Sequence, residues 1–129
     1  MGKQLLRQPS VLVWSQVFNL DNGAGTTVDE VLFDAGGRAC RLLRVYALYQ
    51  EATQTVAAGN FKLGTAVGGA TLVAATAYTN DQAIGVITEG TVLLDGYIPA
   101  NEELWVRHTG IAATATGTAK IVCEIAFEE

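Results

Sequence analysis

The sequence predicts an all-β fold, an antiparallel sandwich or barrel, and two observations predict it. Apolar and polar residues alternate with a period of two in the clearest stretches, and short apolar runs recur between Gly-Gly, Asn-Asp and Glu-Gly punctuation. Val11 to Leu20 reads as one strand, with Val11, Val13 and Val17 on one side and Leu12, Trp14 and Phe18 on the other. A strand apolar on both sides is expected to be covered on both, by a second sheet and a loop or by a neighbouring subunit. Val28 to Phe33 reads as a second strand, ended by a turn at Asp34-Ala35-Gly36-Gly37.

Arg38 to Ala52 is ambiguous, because Arg38, Arg41 and Arg44 recur every three residues as on a helix face. Val45, Tyr46 and Tyr49 prefer strands and no helix cap precedes them, so a strand is the better reading. Shorter runs at 61–63, 71–74, 83–88 and 91–94 follow, and Pro99-Ala100-Asn101-Glu102 supplies a turn. Leu104 and Val106 then alternate with Trp105 and Arg107. The last strand is the clearest: Ile121, Cys123, Ile125 and Phe127 share one face while Lys120 and Glu124 take the other.

A chain of 129 residues is the size of one domain and long enough to bury about two-thirds of its unfolded surface. Residues 11–129 are expected to form that single domain. Residues 1–10 read as an arm, too short to fold alone yet carrying Leu5 and Leu6, which favour burial. Half the residues are apolar and 16% are charged, against a usual share of roughly 25%, which leaves little charge to cover a monomer. An apolar surplus of this kind suggests a partner surface, although alanine supplies much of it.

The net charge is −5 and uneven. Residues 1–50 hold five bases against four acids, and residues 51–129 hold three against nine. An acidic domain repels a phosphate backbone, so no nucleic-acid partner is expected. No membrane partner is expected either, because no stretch approaches the roughly 20 apolar residues that span a bilayer. Met1 to Ser10 lacks the apolar run of a signal peptide. Cys40 and Cys123 are read as two buried thiols, with pairing in an oxidising compartment left open.

Side chains that do chemistry are scarce: one histidine, two cysteines and two serines. His108 has no second histidine or nearby cysteine to make a metal site and is read as a surface or interface residue. Gly64 to Thr71 is rich in glycine but lacks the Gly-Lys-Ser/Thr ending of a phosphate loop. Asp21-Asn22-Gly23 and Asp29-Glu30 lack calcium-loop spacing, and turn chemistry accounts for Asn22-Gly23, with an adventitious calcium at a subunit interface left open. Adjacent Glu102 and Glu103 would point to opposite faces of a strand. No catalytic residue, metal ligand or cofactor is therefore expected, and the chain is read as a non-enzyme.

The run Asn60-Phe61-Lys62-Leu63-Gly64-Thr65-Ala66-Val67-Gly68-Gly69-Ala70, with Leu94 to Val106 and then His108-Thr109-Gly110, resembles small structural proteins of tailed-bacteriophage virions. It looks most like jelly-roll decoration, or cement, proteins of the phage head. The resemblance implies a jelly-roll sandwich made in the host cytoplasm, commonly a homotrimer, that sits on the outer capsid surface and clamps neighbouring copies of the major capsid protein. Under that reading Leu5, Leu6 and Arg7 of the arm reach a neighbouring subunit, and Val11, Val13, Trp14 and Trp105 supply interface or core packing. A carbohydrate- or receptor-binding sandwich, such as a tail or fibre component, is the alternative. It would use exposed aromatics from among Trp14, Trp105, Tyr46, Tyr49, Tyr78 and Tyr97.

Overall fold

The computed structural model describes residues 10–54, 59–110 and 116–128. Ten strands form among them: β1 Ser10–Trp14, β2 Phe18–Asn19, β3 Thr27–Asp34, β4 Cys40–Gln54, β5 Asn60–Gly64, β6 Val73–Ala77, β7 Ile87–Glu89, β8 Tyr97–Ile98, β9 Glu103–Thr109 and β10 Thr116–Phe127. The first sheet runs β1-β10-β4-β7, with β2 also on β10 and β8 on β4, and the second runs β3-β9-β5-β6. Every pairing is antiparallel.

Without the two-residue β2 and β8, eight strands remain, and each pairs with its opposite in chain order: β1 with β10, β3 with β9, β4 with β7 and β5 with β6. That nesting of two Greek keys is the jelly roll, a double-sheet solution to burying one face of each strand. The inward positions of both sheets meet in one core, in which Leu42, Val45, Ala47, Tyr49, Phe61, Leu63, Leu104, Val106, Ile121 and Ile125 are buried.

The alternation expected for the last strand holds, with Ile121, Cys123 and Ile125 inward. Both cysteines are buried and free, Cys40 opposite Phe127 and Cys123 opposite Val45. Burial pushes both thiols up, that of Cys123 far up, which keeps them protonated and inert.

Three expectations are corrected. Val11 to Leu20 is not one strand: it breaks at Ser15-Gln16-Val17, because the Ser15 hydroxyl accepts the Ile121 N–H at 2.9 Å and donates to the Gln16 carbonyl. The 83–88 run yields a strand only over Ile87–Glu89. The 91–94 run leads into a 3-10 turn at Leu94–Gly96, with only an isolated bridge between Val92 and Val73.

The three-residue arginine spacing has a physical cause in β4. Glu124 of β10 pairs with Arg44 and Ile125 pairs with Leu42, so Leu43 is the extra residue of a β-bulge. Leu42 and Val45 both point inward, and Arg41 and Arg44 both point outward three residues apart. The glycine-rich stretch is a close-packed connection over the outer face of the second sheet. A Cβ on Gly64 would lie 2.8 Å from the Gly69 backbone, and one on Gly68 would meet the Arg107 guanidinium at 2.8 Å.

Candidate functional site

The outer face of the first sheet carries exposed Leu12, Trp14 and Leu43. Its register lines up Trp14 of β1, Val122 of β10, Tyr46 of β4 and Glu89 of β7 in one row, with Leu12, Glu124 and Arg44 in the next. Trp14 and Leu12 are 58% and 56% exposed, whereas Val122, flanked by Trp14 and Tyr46, is only 5% exposed. The alternation of β1 explains this, since Val13 packs on the core and its neighbours must face away.

Charges frame the apolar row instead of interrupting it. The Lys120 ammonium lies 5.4 Å from the Trp14 ring, and the Arg44 guanidinium lies 4.6 Å from the Tyr46 ring while pairing with Glu89. Ser10 donates to the Glu124 carboxylate at 3.1 Å. At the far end of the sheet Arg41 binds Glu128 at 3.1 Å and the Asp95 carbonyl at 2.9 Å. That second bond holds a left-handed turn in which Leu94, Asp95 and Gly96 have φ of 53, 55 and 71°. Leucine and aspartate pay for that conformation, and it presents Leu94 at 73% exposure beside exposed Tyr97.

The second sheet shows a different outer face. Arg107 of β9 clamps Asp29 of β3 with two bonds of 2.7 and 2.9 Å, and this ion pair holds the Asp29 carboxyl below its ordinary range. Trp105 lies beside Val31 and Gly64 on this face and is half-buried.

The residues expected at an interface therefore do not form one patch. Trp14 and Trp105 lie on opposite outer faces of the sandwich. Val13 is a core-side residue and Val11 is 39% exposed on the edge strand. Leu5, Leu6 and Arg7 lie outside the described residues. The six aromatics considered for sugar stacking also separate: Tyr49 and Tyr78 are buried, Trp14, Tyr46 and Tyr97 belong to the first sheet, and Trp105 belongs to the second.

His108 is corrected from a surface or interface residue to a fully buried one. Its Nε2 lies 3.0 Å from the Asn19 carbonyl, which can only accept, so the neutral ring carries its proton there. Nδ1 then accepts from the Tyr78 hydroxyl at 2.7 Å. Phe18 stacks on the imidazole with centroids 4.9 Å apart and planes 8° apart. Burial lowers the His108 pKa from 6.5 to about 4. No group of three or more His, Cys, Asp or Glu among the described residues could hold a metal ion.

Leu43 and Leu94 are exposed apolar positions that the sequence does not single out, whereas Tyr97 is among the aromatics that it does. The Arg41-x-x-Arg44 spacing is the trace that the bulge leaves in the sequence, and Asp95-Gly96 marks the turn, but neither says that a leucine faces outward.

These features define a jelly-roll β-sandwich with an apolar outer face on one sheet. No protein-family profile matches the chain, nor does any curated protein. Among solved structures it is similar to the "Cyanophage Pam1 capsid asymmetric unit", at TM-score 0.60 and 14% identity, over 100% of this chain and 91% of that one. At that identity the likeness is one of fold.

Proposed function

We propose that this chain is a structural virion protein that decorates a bacteriophage capsid and stabilises it by clamping neighbouring subunits of the major capsid protein. The observation that carries the reading is the fold likeness to a cyanophage capsid unit, which runs the full length of this chain and nearly all of the other. The open apolar row around Trp14 and Leu12 is consistent with it, because such a surface is stabilised by a partner. A protein that binds the assembled shell but not its separated subunits shifts the equilibrium toward the shell by mass action. Contacts to two or three subunits at once add avidity without new chemistry.

In this reading the protein is a homotrimer on the outer capsid surface, and residues 1–10 form an arm that reaches a neighbour while residues 11–129 form the sandwich. Native mass across concentration and co-sedimentation with empty heads test it. A mass near three times 13.6 kDa and saturable binding to heads are the expected results. A monomer that leaves heads unbound overturns the proposal. Deleting residues 2–9 tests the arm separately: unchanged head binding and unchanged mass would remove it from the reading. Binding on a glycan array that Trp14→Ala abolishes would favour a receptor-binding module instead.

A further inference from the structure

We propose that His108, Tyr78 and Asn19 form an acid-sensitive latch between the two sheets: the neutral imidazole holds this end of the sandwich closed, and acid weakens the latch because the ring takes up a proton readily only when this end opens. The geometry that carries this is the position of the ring. His108 belongs to β9 of the second sheet, yet it bonds the Asn19 carbonyl and stacks on Phe18, both in β2 of the first. Two residue pairs join β2 to β10, with the Leu20 N–H on the Gly117 carbonyl beyond them, and the ring adds a hydrogen bond and a stack that tie β2 to the second sheet.

A proton on Nδ1 turns the acceptor of the Tyr78 bond into a second donor. The Tyr78 hydroxyl can accept only by turning its own proton away, among Phe61 and other buried neighbours. Among the described residues no charged group is in contact with the ring to compensate. From β2 and its turn the groups facing the ring are Phe18, Asn19 and the Asn22 side-chain oxygen at 3.4 Å; from the end of β6 it is Tyr78. Val28 of β3 and Phe61 of β5 flank it in register. Tyr78 alone of these titrates, and burial pushes its hydroxyl up, so it stays neutral. The nearest charged side chains in sequence register, Asp29, Arg107 and Lys62, sit on strand positions that face the opposite side of the sheet.

The sign follows from the lowered affinity for a proton in the fold. Stability is fully present above pH 6.5, falls as the pH drops toward about 4, and levels off below that value. Between pH 7 and pH 4.5 the linkage relation gives a loss of about fiftyfold in the folding equilibrium constant. The carboxylates of Asp29 and Glu128 are held below their ordinary values by Arg107 and Arg41, so their contributions disappear at lower pH still.

His108 is the only histidine in the chain, so its ring signals in an NMR titration are unambiguous. The expected result is a neutral Nε2–H tautomer that persists below pH 5, with Tyr78→Phe moving the titration midpoint upward because it removes the donor that favours the neutral ring. Urea unfolding at pH 7 and pH 4.5 should show the fiftyfold loss in the wild type and a much smaller one in His108→Gln. A ring that titrates near 6.5 in the folded protein overturns the latch, as does an equal loss in both proteins. If His108→Gln does not fold, the wild-type titration and Tyr78→Phe decide the question.

Discussion

Two glycines with the same backbone sign separate conformational strain from close approach. Gly36 has φ +64° with nothing within 4 Å of an added Cβ, whereas Gly96 has φ +71° and its Cβ would lie 2.1 Å from the Leu42 carbonyl oxygen. Gly36→Ala is expected to cost about 1 kcal/mol, the backbone penalty alone. Gly96→Ala should cost more than about 2 kcal/mol, since the turn must also move away from β4. Urea unfolding of the two variants side by side checks the difference, and equal losses would mean that the Leu94–Gly96 turn adapts freely. The same scale holds the second acid effect. Asp29, bound by Arg107, contributes stability above the ordinary carboxylate pKa that is lost as the pH falls through its depressed folded value. Asp29→Asn should therefore flatten the acid limb below the His108 window and leave that window itself unchanged, which a pH series of unfolding midpoints reads directly.

At the scale of the strand, Leu43 matters as a count and little as a side chain. It is 46% exposed, so Leu43→Ser should change stability by about 0.5 kcal/mol or less. Deleting it removes the bulge and makes Leu42 and Arg44 neighbours opposite Ile125 and Glu124, a plain alternation in which Leu42 stays inward and Arg41 outward. That deletion is expected to cost about 1–2 kcal/mol, the strain of straightening β4 at the bulge, because no core site is emptied. Chemical denaturation of the two variants checks both values, and a loss above about 3 kcal/mol on deletion would mean that one end of β4 is turned over. The bulge is also why the segment from Arg38 to Ala52 resists a simple reading in sequence. A helix and a bulged strand both place arginines three residues apart on one side, and only the pairing with β10 separates them. The break of 11–20 at Ser15 is the same kind of event, since a hydroxyl that caps the Ile121 N–H is invisible until β10 lies alongside.

For the molecule as a whole, core and surface are predicted to respond oppositely. Leu104 is fully buried between the sheets, and Leu104→Ala should lower stability by about 2–5 kcal/mol. Leu12→Ser and Trp14→Ser, on the open face of the first sheet, should cost about 1 kcal/mol or less in the isolated protein. If that face docks on a partner, the same two changes should weaken self-association or head binding by tenfold or more, because truncated aromatic anchors dominate interfaces. Native mass and co-sedimentation measure this alongside the unfolding data, and unaltered association would leave the face as plain surface.

The sequence by itself determined the all-β class, Leu104 and Val106 as inward positions of β9, and the inward set of β10, because alternation is a property of adjacent residues. Tertiary structure decided what depends on distant segments. Pairing of first strand with last and second with seventh makes the jelly roll, and the register across β1, β10 and β4 gathers Trp14, Val122 and Tyr46 into one row. His108 is the sharpest case. The alternation of Leu104 and Val106 puts it on their side of the strand, but its character comes from Asn19 and Tyr78, 89 and 30 residues away, which the two sheets bring to its two nitrogens. A residue's own type sets what bonds it can make, but only the fold sets which partners remain once water is excluded.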